Sequence, residues 1–396
     1  MTTTPPARPL RVAVLDHTAA LGGAELALVR LLDHLEDVEA HTVLFSDGPL
    51  AATLRARGHP VEILPLAPAL ATTDRHAAGR SPLVAARNAA RVLPFAIRLG
   101  RHLRRLNPDV VHTTSLKADL IGIPAAWIAR RPLVWHVHDR VSPDYLPAPL
   151  VRLLRLLARL VPRHVVVNSA ATAATLPGVR RLTVAHPGFS AEQVGPAPAE
   201  RNLPEPPVVG LVGRISPTKG QLVLVRAAAR VLRERPAVRF RLIGDALFGE
   251  EDYAAAVRRE AGALGIADRV EFPGFVADVA AELDALTLCV HASPTPEPFG
   301  QVVVEAMIRG VPVVATRGGG VTEIVAPDDA GPPLGWLVPP GDDAALAAAI
   351  VAALTDPDEA RRRAGRARES ALRRFPVTRT AEAVSEVWRG VARRGR

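Results

Sequence analysis

Two glutamates lie eight positions apart in the segment SPTPEPFGQVVVEAM, which spans residues 293–307. Glu297 follows an apolar strand pattern and lies in a loop stiffened by three prolines, directly before a predicted helix over about 301–309. A carboxylate held in such a loop could bind a polyhydroxylated ligand, or it could simply stabilise the helix dipole. Glu305 lies within the helix, and its spacing to Arg309 by itself favours an ordinary helix salt bridge.

A second group of residues suits a diphosphate. The segment VVGLVGRISPTKGQ runs from a strand pattern through Gly213 to Arg214, and Lys219 follows at the start of a predicted helix. Backbone N–H groups and the helix dipole at such a crossing favour anions. Lys219 is one of only two lysines among 49 basic residues, which distinguishes it, although both cations could also be solvated loop residues. The spacing is not that of a P-loop, which argues against an ordinary kinase or ATPase.

Glycines mark two further crossings from a strand pattern to a helix pattern. Gly22 and Gly23 lie in LDHTAALGGAE, and the three glycines at 318–320 precede Glu323. Glycine allows a backbone to approach a ligand closely, although it could equally form no more than a tight turn. The Gly22-Gly23 pair lacks the GxGxxG fingerprint, which argues against an NAD enzyme.

Two histidines end another strand pattern, RPLVWHVHDR. Alternation places His136 and His138 on one face of the strand, so they could bind a metal as a pair. The sequence offers no third ligand at metal spacing, and we expect no metal site. A single imidazole, His138, that points toward a ligand is the favoured interpretation, with a structural histidine as the alternative.

Length and composition limit the classes of protein to consider. The 396 residues exceed what one hydrophobic core normally supports, so two domains are expected. The net charge of +9 comes from basic residues spread along the chain with only fifteen Phe, Trp and Tyr, which argues against nucleic-acid binding. There is no apolar run of membrane-spanning length and no apolar signal segment in residues 1–9, so we expect a cytoplasmic protein. The single cysteine, Cys289, is predicted to be a buried strand residue.

Short Val/Leu/Ile-rich runs alternate with longer helical patterns from residue 10 onward, which predicts parallel sheets with crossover helices. A stretch with five prolines interrupts this alternation over 190–207. We therefore expect a first domain over 1–190, a linker over 191–207, a second domain over 208–375 and a C-terminal helix over 376–396 that packs back on the first domain.

These motifs, in this order, resemble the family 4 glycosyltransferases, also called group 1. The resemblance spans about residues 10–390. It rests on LGGAE (21–25), HD (138–139), GRISPTKG (213–220), GF with Asp278 (274–278), SPTPEPFGQVVVEAM (293–307) and GGVTE (319–323). It implies the α/β fold class GT-B, with two facing Rossmann-like, doubly wound parallel-sheet domains and an interdomain cleft. One departure is His186-Pro187-Gly188, where family members often have Pro-Asn-Gly.

The resemblance assigns roles on the donor side. Gly213, Arg214 and Lys219 would hold the diphosphate of a nucleotide sugar, and Glu297 would contact the transferred sugar. Glu305 would bind the ribose hydroxyls, a role that replaces the salt-bridge interpretation favoured by its spacing alone. The same donor site would include Phe275 and the backbone at Phe299 and Gly300.

The resemblance also assigns roles in the first domain. His138 would lie beside the sugar, and the backbone at Gly22 and Gly23 would lie near the phosphate or the acceptor. The expected reaction moves a sugar from a UDP- or GDP-linked donor to an acceptor hydroxyl with retention of anomeric configuration, without a metal or a further cofactor. Arg214, Lys219, Glu297 and His138 would be the catalytic residues, with cations that stabilise the departing diphosphate.

Two other functions remain open from the sequence, a nucleotide-sugar epimerase on a similar scaffold and a non-catalytic protein that binds sugar nucleotides. The acceptor is a small molecule, such as a secondary metabolite, or a lipid or glycan. The segment PLVRLLRLLARLVPRH (149–164) alternates leucine and arginine at helical spacing. It could contact anionic lipid at the inner face of the membrane, or it could be an ordinary helix with one face in the core, which we favour. The oligomeric state cannot be read from the sequence.

Overall fold

The computed structural model describes residues 8–67, 82–247, 249–327 and 331–394. The chain folds into two compact units: the first contains the chain up to Gly188 together with the segment from Val377, and the second runs from Phe189 to Pro376. The extreme amino-terminal segment and the last two residues of the predicted C-terminal helix lie outside the described residues. No helix in the described part of the chain is long and apolar enough to cross a membrane.

The first unit is built on a seven-stranded parallel sheet with the order β3-β2-β1-β4-β5-β6-β7. Its strands are short apolar runs because helices cover both faces of the sheet. The strands are β1 (Leu10–Asp16), β2 (Val38–Leu44), β3 (Val61–Ile63), β4 (Val110–Thr113), β5 (Leu133–Val137), β6 (His164–Val167) and β7 (Leu182–Val184).

The helices of the first unit are α1 (Gly23–Asp33), α2 (Pro49–Ala56), α3 (Pro82–Leu106), α4 (Leu116–Ala129), α5 (Ala148–Leu160), α6 (Ala170–Ala174) and α14 (Val377–Arg394). Side chains of α3, α4 and α5 share one apolar cluster with residues of β1, β4 and β5. Side chains of α1, α2 and α14 form a second cluster against strand residues that include Val14, Val134 and Val166. The C-terminal helix α14 is therefore part of the core of the first unit.

The second unit contains a six-stranded parallel sheet with the order β10-β9-β8-β11-β12-β13. Its strands are β8 (Val208–Val212), β9 (Arg239–Ile243), β10 (Val270–Gly274), β11 (Leu288–His291), β12 (Val313–Thr316) and β13 (Trp336–Val338). Its helices are α7 (Gln221–Glu234), α8 (Glu251–Ala263), α9 (Val279–Asp284), α10 (Gln301–Ile308), α11 (Gly320–Val325), α12 (Asp343–Thr355) and α13 (Pro357–Arg374).

The strand order of the second sheet determines which loops meet. β11 pairs with β8 on one side and with β12 on the other, all in parallel, so the loops that follow these three strands leave the same edge of the sheet side by side.

The proline-rich segment 191–207 belongs to the second unit. Arg201 in this segment donates to the carbonyl of Leu286, and Gln193 accepts a hydrogen bond through its carbonyl from Arg309 at 2.8 Å.

Candidate active site

The Glu297 carboxylate lies between the side chains of Lys219 and His291 at the edge of the second sheet. Lys219 Nζ donates to Oε1, and Nε2 of His291 lies 2.5 Å from Oε2. The residue that caps helix α10 is Gly300, so the Glu297 side chain does not cap that helix. The sequence left open whether this carboxylate binds a polyhydroxylated ligand or stabilises the helix dipole; in the structure its side chain contacts Lys219 and His291.

The electrostatics of Glu297 follow from these contacts. Burial alone would raise the pKa of Glu297, but the Lys219 ammonium and the His291 hydrogen bond outweigh burial and hold that pKa well below its ordinary value. The carboxylate is therefore ionised at neutral pH. Its side chain is 17% exposed and that of Lys219 is 30% exposed, so the ion pair is partly open to solvent.

Two hydrogen bonds of the buried Gln221 side chain hold the loop after β8. The Gln221 side chain donates to the Arg214 carbonyl at 2.9 Å and accepts from the Ser216 backbone N–H at 3.3 Å. A short 3₁₀ turn over Pro217–Lys219 follows, and Gly220 ends it with a φ of +76°. A Cβ at Gly220 would lie 1.9 Å from the Ala292 carbonyl oxygen, so only glycine lets this turn pack on the loop after β11.

The glycines after β12 also allow close packing, here against the loop that carries Glu297. Gly320 N–H donates to the Glu297 carbonyl at 2.9 Å, and a Cβ at Gly319 would lie 1.9 Å from that carbonyl oxygen. The sequence left open whether this glycine run approaches a ligand or only forms a tight turn. In the structure it approaches the backbone of Glu297, and it thereby helps to fix the loop that carries the carboxylate.

The other donor-side residues have different environments. The Phe299 ring is buried and packs edge-on against Phe375 with the ring centres 5.5 Å apart, so the core holds the backbone that precedes α10. Phe275 is 75% exposed. Glu305 is partly buried on α10. The sequence pattern alone suggested a helix salt bridge from Glu305 to Arg309, whereas the structure shows the Arg309 guanidinium bound to Asp284 through two of its nitrogens.

Cys289 is buried on β11, as predicted. Burial, together with the nearby Glu305, raises the pKa of its thiol to about 12. The thiol is therefore protonated and unreactive at neutral pH, which agrees with a structural role.

In the first unit, the glycine pair begins helix α1. Gly22 is the residue before the helix, and its N–H donates to Glu25 Oε2 at 3.0 Å. Burial and the neighbouring Asp16 carboxylate raise the pKa of Glu25 to about 7. The Gly22 N–H, which the resemblance places near a phosphate or acceptor, therefore already donates a hydrogen bond to the Glu25 carboxyl group.

His138 lies at the end of a row of three imidazoles. Its ring centre is 4.1 Å from that of His136, which is 5.3 Å from that of His112. Trp388 Nε1 on α14 donates to His112 Nδ1 at 3.1 Å. Burial lowers the pKa of all three histidines, that of His112 to about 3, so the row is uncharged at neutral pH. Within the described residues, neither ring nitrogen of His136 has a hydrogen-bond partner.

A buried aspartate at the end of β1 was not predicted from the sequence. Asp16 accepts hydrogen bonds from the Thr114 hydroxyl at 2.7 Å and the Ser115 hydroxyl at 3.1 Å, both in the loop after β4. Burial would raise the pKa of Asp16, but His17, the Thr114 hydroxyl and the Thr18 backbone N–H lower it below its ordinary value. Its signal in the sequence was an acid that directly follows a buried strand, LRVAVLD.

The imidazole row does not form a metal site of ordinary composition. Across the described ranges of the chain, no group of three or more His, Cys, Asp and Glu side chains could hold a metal ion.

Comparison with known proteins places these features in a family. Residues 197–370 match the family model for glycosyl transferases group 1, and residues 49–193 match the model for Glycosyltransferase Family 4. The chain is 32% identical over 310 residues to a D-inositol 3-phosphate glycosyltransferase of Thermobispora bispora, with 71% of this chain and 70% of that protein covered. It is 28% identical over 357 residues to a phosphatidyl-myo-inositol mannosyltransferase of Mycobacterium leprae, with 87% and 92% covered.

A solved structure shows the same similarity in three dimensions. The crystal structure of HepE from Anabaena in complex with UDP and glucose superimposes with a TM-score of 0.80 at 31% sequence identity. The superposition covers 96% of this chain and 99% of HepE.

Proposed function

Given that the chain belongs to the group 1, family 4 glycosyltransferases, we propose that this enzyme transfers a sugar from a nucleoside-diphosphate sugar to an acceptor hydroxyl with retention of configuration. The observation that carries the proposal is the cluster at the ends of β8 and β11, where Glu297 lies against Lys219 and the Arg214 loop is fixed close by. It combines cations for a diphosphate with a carboxylate for sugar hydroxyls.

The donor would bind in two parts. Arg214 and Lys219 would hold the diphosphate, whose negative charge grows as the bond to the sugar breaks, so fixed cations would lower the barrier where charge develops. Glu297 would accept hydrogen bonds from the sugar hydroxyls, and Glu305 from the ribose. The nucleoside diphosphate would leave as the acceptor hydroxyl takes up the sugar, without attack by an enzyme carboxylate, unlike in the glycosidases that use a pair of carboxylates. HepE, crystallised with UDP and with UDP-glucose, supports a nucleotide-sugar donor by similarity.

We further propose a polyhydroxylated acceptor of the cyclitol type. The names of two relatives, an inositol phosphate glycosyltransferase and a phosphatidyl-inositol mannosyltransferase, support this class. His138 would lie next to the reacting sugar as a neutral imidazole, since burial lowers its pKa. A neutral ring can donate one hydrogen bond to a hydroxyl oxygen without introducing a charge near the reaction centre.

Peripheral contact with anionic lipid is a separate proposal that rests on helix α5. This helix buries Val151, Leu154 and Ala158 in the core of the first unit, in agreement with the favoured interpretation of its pattern. Its outer side also carries Leu153, Leu156 and Leu160, which are 46%, 51% and 73% exposed, among exposed arginines. Exposed leucines flanked by arginines suit an anionic bilayer surface. Absence of binding to anionic liposomes in flotation at low salt would refute this proposal.

The binding of free nucleoside diphosphate tests the proposed donor site. Lys219→Ala and Arg214→Ala should each weaken the binding of free UDP or GDP by about 10- to 150-fold, because each removes a charged hydrogen bond worth about 1.5–3 kcal/mol. Arg226→Ala is the matched control, since it removes one arginine from the exposed face of α7, where that side chain pairs with Glu260. Calorimetric titration measures all three variants, and unchanged affinity in both site variants would contradict the assignment.

The type of reaction needs its own measurement. Nucleotide sugar should be consumed only when a cyclitol or another alcohol is supplied, whereas an epimerase would convert the donor alone and a non-catalytic protein would leave it unchanged. The anomeric proton in the NMR spectrum of the product reports configuration, and an inverted product would contradict retention.

A further inference from the structure

His291 contacts the Glu297 carboxylate from the strand itself. It is the last residue of β11, its side chain is 7% exposed, and its Nε2 lies 2.5 Å from Glu297 Oε2. Because Glu297 is ionised, its oxygens can only accept hydrogen bonds, so Nε2 must carry a proton.

The other ring nitrogen faces a hydroxyl on the neighbouring strand. Thr316, the last residue of β12, places its Oγ1 3.2 Å from His291 Nδ1 and 2.8 Å from the Ser293 carbonyl oxygen. A carbonyl can only accept, so the single hydroxyl proton of Thr316 is directed at Ser293 over the shorter distance. With its proton so directed, the Thr316 oxygen is left to accept a hydrogen bond from Nδ1. This arrangement suits a ring that donates from both nitrogens.

A carboxylate offers more acceptor positions than the contacts with Lys219 and His291 use. A carboxylate has about four lone-pair positions, and Lys219 and His291 engage one on each oxygen. Two contacts on opposite oxygens fix the plane of the carboxylate as well as its position. The remaining lone pairs suit two adjacent hydroxyl groups of a sugar, while the Lys219 ammonium offsets the negative charge of the acid beside a diphosphate.

We propose that His291 is a positioning residue for glycosyl transfer, a doubly protonated imidazole that, with Thr316 behind it, orients Glu297 toward the hydroxyls of the transferred sugar. The proposal rests on the proposed function for its kinetic consequence but not for the charge state of the ring. Nothing in the motif pattern of the family resemblance assigned a role to this histidine or to Thr316.

The first experiment reads the ring directly and needs no activity. In full-length protein with ¹⁵N-labelled histidine, long-range ¹H–¹⁵N correlation at neutral pH distinguishes a doubly protonated ring from either neutral tautomer, and His291→Gln identifies the signal. We expect two protonated nitrogens for His291 in the ligand-free enzyme. A neutral ring, with one unprotonated nitrogen, would overturn the proposal.

The second experiment separates positioning from folding. His291→Ala should lower kcat for the nucleotide-sugar donor by about 10- to 100-fold, as for loss of a hydrogen bond to a charged group, while the affinity for free UDP or GDP changes less than about threefold. Thr316→Val should act in the same direction with a smaller effect. His291→Gln, which keeps one N–H donor, should recover part of kcat.

Cys289→Ala is the matched control for stability. Cys289 lies two residues earlier on the same strand, is fully buried, and belongs to the apolar cluster of α10 and β12. Its truncation should lower the melting temperature while kcat stays unchanged. If His291→Ala matched Cys289→Ala in both readouts, the histidine would be structural and the proposal would be wrong. If the wild-type enzyme showed no turnover with any donor, the proposed function would fail, and the NMR result would still decide the charge of the ring.

Discussion

Replacing Glu25 with glutamine should change how the stability of the first unit depends on pH. Burial and the Asp16 carboxylate raise the pKa of Glu25 from 4.5 to about 7. A carboxyl group whose pKa is higher in the folded protein holds its proton more tightly there than in the unfolded chain. Its stabilising contribution is therefore complete below about pH 4.5 and is lost as the pH rises through about 7.

The size of the effect follows from the two pKa values. Each pH unit between them corresponds to about 1.4 kcal/mol, which gives roughly 3 kcal/mol as an upper limit for a fully buried group. Glu25 is only partly buried, and solvent screens part of its interaction with Asp16. We therefore expect about 1–2 kcal/mol between about pH 5 and pH 8.

The measurement must isolate Glu25 from other titrating groups. Burial lowers the pKa of His112, His136 and His138, so the stability of any variant will decline toward acid pH as these rings take up protons. Comparison of urea unfolding of wild type and Glu25→Gln at matched pH cancels that decline, because both proteins contain the three histidines. The remaining difference reports Glu25, because glutamine does not titrate. The free energy of unfolding of the variant should rise relative to wild type by about 1–2 kcal/mol from about pH 5 to pH 8.

Glu36→Gln is the control for this titration. It removes an exposed carboxyl group just beyond the same helix and should leave the free energy of unfolding within about 0.5 kcal/mol of wild type. A difference between wild type and Glu25→Gln that stayed constant over the same range would show that Glu25 titrates normally. The reasoning from burial and Asp16 would then be refuted.

Two further substitutions test packing around the sites. Trp388→Phe should lower the free energy of unfolding by about 1–3 kcal/mol, because it leaves buried His112 Nδ1 without its donor. Trp127→Phe is the control, and it should change the free energy of unfolding by less than about 0.5 kcal/mol because the Trp127 ring is 81% exposed. Equal urea midpoints for these two variants would contradict a structural role for the Trp388 bond. Gly319→Ala should destabilise the second unit by more than about 2 kcal/mol, because its Cβ would lie 1.9 Å from the Glu297 carbonyl oxygen. Gly365→Ala on α13 is the control. It should stabilise the protein by about 0.5–1 kcal/mol, because nothing lies within 4 Å of its Cβ. Thermal unfolding of this pair should show shifts of opposite sign, and shifts of the same sign would contradict the packing assigned to Gly319.

The sheets could be predicted from the sequence because fully buried parallel strands are short, apolar and regularly spaced. Most helices could be predicted from their amphipathic patterns, and α10 (Gln301–Ile308) begins and ends within one residue of the predicted 301–309. Helix α4 (Leu116–Ala129) was not predicted, because it is apolar on every side and contains Pro124, so it lacks the periodic pattern of a surface helix. The short α2 has too few turns to give a clear pattern.

The candidate site could be predicted only in part. Lys219 and Glu297 were identified separately, each from its own loop, but their contact joins residues that are 78 positions apart. That contact exists because β8 and β11 are neighbours in the sheet although two strands separate them in sequence, and local patterns contain no information on this order. His291 and Thr316 were missed for the same reason, since each reads locally as the polar end of a buried strand.

Helix α14 has a consequence for how the chain acquires its structure during synthesis. Trp388 and Val384 fill the core beneath the first sheet, yet they leave the ribosome only after every residue of the second unit has been made. The part of this core that α14 fills must therefore stay incomplete until α14 is made, although α1 and α2 are already present, while the continuous second unit is free to complete its own core. The first unit is therefore completed only after the second unit has been synthesised.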